Sequence, residues 1–177
     1  MSAATAFTGD SSAKSPITLV NNYAPPDAPQ QVCEKLRWVV ADGCLLPFPN
    51  RSVDISFSNS VIEHVGDHDR QRAFAREMAR VGKCYFVQTP NRWFFIEPHL
   101  ETPLIHFLPL SWQRKLLRNF TLWGLINRPS LEQCDQMLAG TRLLTHRDMR
   151  DLFPDGVVLR ERFLFMTKSL IAFRNTR

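Results

Sequence analysis

The chain has 177 residues, of which 44% are hydrophobic and 22% charged, a composition that predicts one folded domain rather than a disordered or fibrous protein. The net charge is +5, but the cations are spread along the chain, which argues against a nucleic-acid-binding surface. No apolar run reaches the roughly 20 residues of a membrane-spanning helix, and the N-terminus lacks the basic start and apolar segment of a secretory signal.

Four cysteines are present, and their spacing bears on metal binding and on cellular compartment. They form no C-x-x-C pair and have no histidine at zinc-finger spacing, so no metal site is predicted. Two of them, Cys44 and Cys84, lie in or beside apolar runs, where a free cysteine behaves as a small hydrophobic residue. The pattern predicts a reduced, cytoplasmic chain. The full set is Cys33, Cys44, Cys84 and Cys134.

The first half of the chain alternates strand and helix signals. Residues 1–16 are rich in Ala, Ser and Thr without periodicity, so they predict a disordered tail before a domain over 17–177. A helix is predicted within 69–81, where apolar residues recur at positions 74, 78 and 81 between an acidic start and Gly82. Strands are predicted at 17–20, 38–41, 53–58 and 84–87. This order is typical of an α/β Rossmann-like fold with a mostly parallel sheet and helices on both faces.

The second half predicts a helical cap insertion at about 98–144, followed by a return to the sheet. Capping-box pairs, Ser130 with Gln133 and Thr145 with Asp148, predict two helix starts. Strands at 157–165 and 169–173 are predicted to form an antiparallel hairpin at the sheet edge. A further helix has an apolar stripe opposite cationic residues; the stripe comprises Trp112, Leu116, Phe120 and Trp123.

Polar residues follow two of the predicted strands, where ligands of open α/β sheets bind. Asp42 ends the strand at 38–41, and its carboxylate can accept a hydrogen bond from an exocyclic amine such as that of adenine. An apolar turn at 45–48 follows it, and small polar residues occupy 58–60 at the end of the next strand. Taken singly, each feature has a structural alternative, namely a turn aspartate, a turn packed on the core and a helix cap. Their order and spacing together favour a ligand site.

This block resembles the class I S-adenosylmethionine-dependent methyltransferases, and most closely the subgroup that methylates small molecules and lipids. The match is D-x-x-x-LPF, then a hydrophobe and an aspartate, then a strand leading into an x-E-H-V helix start. In this chain the pattern is carried by Asp42, Leu46-Pro47-Phe48, Val53-Asp54 and Val61-Ile62-Glu63-His64-Val65. The resemblance covers roughly residues 17–174, and it implies S-adenosylmethionine as cofactor and methyl transfer as activity.

The resemblance also implies roles for individual residues. Asp42 would bind adenine, and Asn21 or Asn22 would bind the ribose in place of the family's acid, without a charge-assisted hydrogen bond. The remaining cofactor contacts would come from the backbone of Gly43 and Cys44, from Leu46 and Phe48 around adenine, and from Ser58, Asn59 and Ser60 at the methionine end.

One family feature is not found before the predicted strand at 17–20. The family's first strand leads into a glycine-rich D-x-G-x-G-x-G loop that holds the methionine moiety, whereas Gly9 is the sole glycine in residues 1–16. The resemblance therefore implies a missing first βα unit, a sheet lacking one central strand, and weak or absent cofactor binding by this chain. The alternative to an impaired enzyme is a non-catalytic, truncated methyltransferase-like protein or a partner-binding remnant.

Fewer residues are candidates for binding or activating the methyl acceptor than for binding the cofactor. A general base is needed only if the methyl acceptor must lose a proton, and His64 is the nearest candidate, with His68 and His99 behind it. Local packing or helix capping is the alternative role for His64. The helix spanning 112–123 is either an ordinary lid over a small-molecule or lipid acceptor or a contact with a membrane surface. The oligomeric state stays open.

Overall fold

The computed structural model describes residues 4–7, 16–23, 36–97, 102, 103, 105 and 108–175. The strands are β1 (Ala4–Phe7), β2 (Ile17–Asn21), β3 (Leu36–Val40), β4 (Val53–Asn59), β5 (Gly82–Pro90), β6 (Ile96–Glu97), β7 (Thr102–Pro103), β8 (Val157–Phe163) and β9 (Met166–Arg174). The α-helices are α1 (His68–Val81), α2 (Leu110–Phe120), α3 (Leu122–Asn127), α4 (Leu131–Ala139) and α5 (His146–Leu152), and a 3₁₀ turn spans Ile62–His64.

Seven of these strands form one sheet in the order β3-β2-β1-β4-β5-β9-β8. Five of them, β2, β3, β4, β5 and β8, run in one direction, and β1 and β9 run in the other. The α/β class, the mostly parallel sheet and the C-terminal antiparallel hairpin are therefore confirmed. The carboxyl ends of β2, β3 and β4 lie at one edge of the sheet, which is where the sequence places its candidate ligand site.

The centre of the sheet differs from the expectation of a tail and a missing strand. Ala4–Phe7 occupies the position between β2 and β4 and pairs antiparallel with both, with Ala4 opposite Ser58 and Phe7 opposite Ile55. The prediction of disorder over residues 1–16 is thus wrong for residues 4–7. The facing edges of β2 and β4 carry backbone groups that need partners, and a short extended segment satisfies them without any periodic pattern of its own.

The main core lies between the sheet and helices α1 and α5. Phe74, Met78 and Val81 are buried along α1, as their spacing predicts. Phe74 and Met78 pack with Tyr85 and Val87 of β5 in the largest buried cluster. Asp67 caps α1 by accepting a hydrogen bond from the Arg70 amide, and Gly82 ends the helix. Because side chains alternate along a strand, Phe86 faces the opposite side of the sheet, where its ring stacks on Phe57 at 5.3 Å.

Within the described residues, the segment before α5 contains three helices, α2, α3 and α4, where the sequence predicts two. The predicted stripe is interrupted at Thr121, whose hydroxyl caps α3. Trp112 and Phe120 are exposed, whereas Leu117 of α2 is buried and packs with Cys134 of α4. Helices α4 and α5 begin with the predicted capping boxes. Cys33 and His99 lie outside the described residues, as does the side chain of Trp123.

The C-terminal hairpin turns earlier than the sequence predicts. β8 ends at Phe163 and β9 starts at Met166, so the turn is Leu164–Phe165 rather than residues 166–168. The sequence does not indicate this turn, because both of its residues are apolar and two-residue hairpin turns normally contain Gly, Asn or Asp. Within the described ranges, no helix is both long enough and apolar enough to span a bilayer.

Candidate functional site

Three parallel strands end at the same edge of the sheet with exposed polar residues. Asn22 follows β2, Asp42 follows β3, and Asn59 ends β4; all three are exposed. The Ala41 amide donates to the Asn21 carbonyl at 2.8 Å, which joins the ends of β2 and β3. Since neighbouring strands lie about 4.8 Å apart, three spacings from β3 to β4 give an edge about 14 Å long. Such an edge can accommodate an elongated ligand lying across the strand ends.

Asp42 is half exposed and paired with Arg70 of α1. The Arg70 Nη2 atom donates to Oδ2 at 2.8 Å and to Oδ1 at 3.0 Å, while Oδ1 also accepts from the Cys44 amide at 2.9 Å. These hydrogen bonds, led by that from Arg70, lower the pKa of Asp42. Oδ2 accepts a hydrogen bond from Arg70, and its second lone pair can accept one from a ligand.

The turn after Asp42 is bonded within the protein. The Cys44 and Leu45 amides donate to Asp42, and the Leu46 amide donates to Glu77 Oε2 at 2.7 Å. The sequence expects the Cys44 backbone to contact the cofactor, but its amide is already engaged. The Cys44 thiol donates to the Arg70 carbonyl at 3.3 Å. Burial, followed by the nearby Asp42 charge, raises the pKa of this thiol to about 11, so it stays protonated.

Gly43 lies against the ring of Phe74. A Cβ atom added at Gly43 would meet the ring at 2.9 Å, so the turn approaches the helix as closely as a residue without a side chain allows. Phe74 itself is fully buried. Asp42 immediately precedes Gly43, so this close approach also fixes the position of Asp42.

The apolar residues predicted to surround adenine divide between the core and the surface. Leu46 is buried and packs with Val20 and Val53, and Phe48 lies partly buried against the same cluster. Leu45, in contrast, is exposed next to Asp42. The structure therefore places Leu46 and Phe48 as supports of the turn and leaves Leu45 as the accessible apolar side chain beside the carboxylate.

The Glu77–Arg80 ion pair of α1 holds the turn after Asp42. Arg80 donates to both carboxylate oxygens of Glu77 at 2.7 Å, to the carbonyls of Phe48 and Leu46 at 2.7 and 3.1 Å, and to Asn50 Oδ1 at 2.9 Å. Glu77 in turn accepts from the Leu46 amide. The hydrogen bonds from Arg80 lower the pKa of Glu77, outweighing the opposite effect of burial.

We expect Glu77 to make folding sensitive to acid. Its carboxyl has an ordinary pKa of 4.5, and the folded value is lower. The stabilisation is therefore fully present above the ordinary value and is lost as the pH falls through the folded value. In urea titrations from neutral pH downward, Glu77→Gln should show a smaller acid-dependent fall in unfolding free energy than the wild type. Equal falls in the two proteins would contradict this assignment.

The end of β4 carries the residues predicted to line the methionine end of the cofactor. Ser58 is fully buried, and its hydroxyl has no hydrogen-bond partner among the described residues. Ser60 has a positive φ of 53° and donates its amide to the Gln88 carbonyl at 3.0 Å. A non-glycine residue in this region is uncommon and marks a sharp change of chain direction. Asn59, between them, is exposed at the sheet edge.

His64 lies in the 3₁₀ turn, beside a buried carboxylate. Its Nε2 atom is 4.0 Å from Glu63 Oε1, and its Nδ1 atom is 3.4 Å from both the Gly140 carbonyl and the Thr141 hydroxyl. Glu63 is fully buried and accepts a 2.8 Å hydrogen bond from the Thr89 hydroxyl. His64 thus joins the end of β4 to the segment after α4, an arrangement that fits the packing role as well as a base.

His68 takes part in a polar network around Arg142. Arg142 contacts His68 Nδ1 at 3.4 Å and also donates to the side chain of Gln71, which is fully buried. Gln71 donates to the carbonyls of Ile62 and Arg142. These contacts connect α1, the 3₁₀ turn and the segment after α4, so His68 has a structural role in this geometry.

Residues 13–84 match the family model of a methyltransferase domain. This segment includes β2 to α1, the Asp42 turn and the end of β4. The matched residues, here called the methyltransferase-domain segment, contain every candidate cofactor-binding residue that the sequence predicts. No curated protein matches the chain.

Several solved structures are similar to the chain. One is a SAM-dependent methyltransferase from Methanosarcina mazei, 15% identical, covering 88% of this chain and 79% of that one with a TM-score of 0.46. A protein described as a methyltransferase of an antibiotic biosynthesis pathway from Anabaena variabilis is 24% identical over 51% of this chain and 39% of its own, with a TM-score of 0.35. A third is a complex of the Haloferax volcanii Trm112 methyltransferase activator with a methyltransferase. It is 14% identical over 80% of this chain and 62% of its own, with a TM-score of 0.46.

Sequence reasoning misses the two arginines that organise this site. Arg70 and Arg80 lie outside the predicted apolar stripe of α1, and both bind the segment after β3. Their positions flank the buried stripe, from which a long side chain can reach back along the helix surface. Glu77 and Arg80 have the i, i+3 spacing of an ion pair within a helix. No local pattern indicates that both also bind the turn after Asp42.

Proposed function

We propose that the methyltransferase-domain segment binds the adenosine part of S-adenosylmethionine, and that methyl transfer to a small-molecule or lipid acceptor is the activity from which this fold derives. The observation that carries the proposal is the common edge formed by the ends of β2, β3 and β4, with Asp42 half exposed and one lone pair of Oδ2 available. The family match over residues 13–84 supports the choice of ligand.

The adenosine end fits the residues present. Asp42 Oδ2 can accept a hydrogen bond from the exocyclic amine of adenine, and the exposed Leu45 can contact the face of the ring. Asn22 follows β2 at the position where the ribose hydroxyls would lie, and its side-chain amide can donate and accept hydrogen bonds. Arg70 holds the carboxylate in place without covering it, because both side chains are half exposed.

The methionine end does not fit in the same way. The strand next to β4 is β1, and its antiparallel pairing places Ala4 opposite Ser58 and Phe7 opposite Ile55, so β1 runs away from the candidate edge. A loop after β1 would therefore leave the sheet at the wrong edge to hold a methionine moiety. Ser58 is buried beneath the edge, so Asn59 and Ser60 are the residues there that a ligand can reach.

The cofactor supplies an electrophilic methyl group on a sulfonium, and the protein's contribution in such reactions is to position it and exclude water. Because no glycine-rich loop adjoins the methionine end among the described residues, we derive no transfer step for this chain. His64 would act as a base only for an acceptor that loses a proton. Impaired activity is part of the proposal. The antiparallel β1 equally favours the second candidate function, a non-catalytic methyltransferase-like protein.

We expect Asp42→Asn to weaken adenosine binding without unfolding the chain. The charged acceptor is lost, which should lower affinity about tenfold or more. Stability should change by only about 0.5 kcal/mol, because the ion pair with Arg70 is half exposed. Isothermal titration with adenosine and urea unfolding measure the two effects. Asp69→Asn is the matched control, since Asp69 pairs with Arg72 on the exposed side of α1. Equal affinities in all three proteins would reject Asp42 as the adenine-binding residue.

The same titrations separate the impaired enzyme from a complete one. If the contacts are confined to the adenosine end, S-adenosylmethionine and adenosine should bind this chain with comparable affinities. Much tighter binding of S-adenosylmethionine would show a methionine site that the geometry does not predict. Absence of binding by both ligands would leave the non-catalytic candidate and reject the proposed cofactor site.

A further inference from the structure

The β8–β9 hairpin ends in four consecutive exposed apolar residues, here called the hairpin tip. Phe163, Leu164, Phe165 and Met166 are 51%, 77%, 98% and 39% exposed. β8 runs in the same direction as β4 and β5, so the hairpin tip lies at the edge of the sheet that carries the candidate cofactor site. An exposed apolar patch of this kind marks a surface that meets a partner or a membrane.

The turn at the hairpin tip is not explained by folding stability. Leu164 has a φ of 53°, a left-handed conformation that disfavours a residue with a Cβ atom. Two-residue hairpin turns normally place Gly or Asn at such a position. Leucine here costs backbone strain and exposes a large apolar side chain at the same time. Burial of Leu164 and Phe165 on docking to a partner surface would offset both the backbone strain and the apolar exposure.

The charges around the hairpin tip complement an anionic surface. Arg162 precedes the tip on β8, and Lys168 follows it on β9; both are exposed. Near the tip, the ring centroids of Phe94 and Phe163 are 6.4 Å apart. The neighbouring Trp93 is exposed, and the Arg92 guanidinium lies 5.9 Å from the centroid of its ring. Tryptophan and cations around a protruding apolar segment are typical of proteins that insert shallowly into a bilayer. The flanking cations Arg162 and Lys168 favour an anionic bilayer surface over an uncharged protein groove.

A cationic cleft adjoins this surface. Its volume is about 460 Å³, and it lies between α5, β8 and the loop after β5. Arg160 of β8 lines it and makes no ion pair with another described residue; Arg147 of α5 lines it too and is 3.9 Å from the exposed Asp151. The cleft is also lined by Asn91, Trp93, Thr145 and Thr167. Two weakly compensated guanidiniums beside Trp93 are suited to bind a phosphate group at the depth of lipid headgroups.

We propose that the hairpin tip inserts into an anionic phospholipid bilayer and that Arg160 and Arg147 hold a headgroup phosphate in the adjoining cleft. This docking mode goes beyond the proposed cofactor site and does not depend on it, since it uses neither Asp42 nor the ends of β2 and β3. It would face the candidate cofactor edge toward the membrane, where lipid acceptors are found.

Sedimentation with vesicles tests the proposal on the full chain. We expect the wild type to bind vesicles of equimolar phosphatidylcholine and phosphatidylglycerol, and to stay in solution with phosphatidylcholine alone. Phe165→Ser should lower the partition coefficient roughly tenfold, because an exposed aromatic side chain no longer enters the bilayer. Leu164→Gly should also lower it, while leaving the urea midpoint equal or higher because the left-handed strain is removed. Arg160→Gln should weaken binding to the anionic vesicles.

Phe120→Ser is the matched control, since Phe120 is an exposed phenylalanine on α2, the helix that the sequence offers as a membrane contact. We expect this variant to bind like the wild type. The proposal is overturned if the wild type does not bind the anionic vesicles, or if the hairpin-tip variants bind as well as the wild type. It is also overturned if Phe120→Ser loses as much binding as Phe165→Ser. A protein partner retained by the wild type and lost by Phe165→Ser, without vesicle binding, would assign the surface to a protein instead.

Discussion

Phe74→Ala is expected to destabilise the chain by about 3–5 kcal/mol, because it removes a fully buried ring and leaves a cavity between α1 and the sheet. In a domain of this size such a loss lowers the melting temperature by about 10 °C. The same ring supports Gly43, so the turn that orients Asp42 should loosen as well. Urea unfolding followed by tryptophan fluorescence measures the stability, and adenosine titration of the folded fraction measures the site.

Two variants test whether the effect comes from the buried ring. Phe74→Leu keeps most of the apolar volume and should cost less than Phe74→Ala. Phe120→Ala removes an exposed ring and should change the unfolding free energy by no more than about 0.5 kcal/mol. If Phe74→Ala were no more destabilising than Phe120→Ala, the main core would not lie where α1 meets the sheet.

The elements with strong local signals are the ones that the sequence predicts correctly. α1 shows a regular apolar stripe, an aspartate cap and a closing glycine, and all three have the expected role. α4 and α5 start at their capping boxes because a Ser or Thr three residues before a Gln or Asp satisfies the first amides of a helix locally. For the site, placement of Asp42 and Asn59 at one edge follows from strand direction alone.

The features that the sequence misses depend on contacts between distant parts of the chain. β1 forms because β2 and β4 offer it unpaired edges, a requirement invisible in the sequence of residues 4–7. The sequence predicts one continuous helix over 112–123. The structure has a break between α2 and α3, because the Thr121 hydroxyl caps the start of α3. Arg70 binds Asp42 across 28 positions of sequence, and no local pattern specifies that partner.

Arg80→Ala is expected to cost about 2–3 kcal/mol, since charge-assisted hydrogen bonds are lost and buried groups lose their partner. The arginine donates to two carbonyls of the turn after Asp42 and to both oxygens of Glu77. Without it the Leu46 and Phe48 carbonyls lack their donor and Glu77 loses its counter-charge. Adenosine affinity should fall together with stability, because the turn that carries Asp42 is no longer held on α1.

Arg76→Ala and Arg80→Lys separate the bonding pattern from the charge. Arg76 is exposed on the same helix, so its removal should change the unfolding free energy by about 0.5 kcal/mol or less. Lysine at position 80 keeps the charge but has a single nitrogen, which cannot reach Glu77, Leu46, Phe48 and Asn50 together. We therefore expect Arg80→Lys to retain most of the loss seen with alanine. Full recovery by lysine would mean that charge alone, rather than the fork of hydrogen bonds, holds the turn against α1.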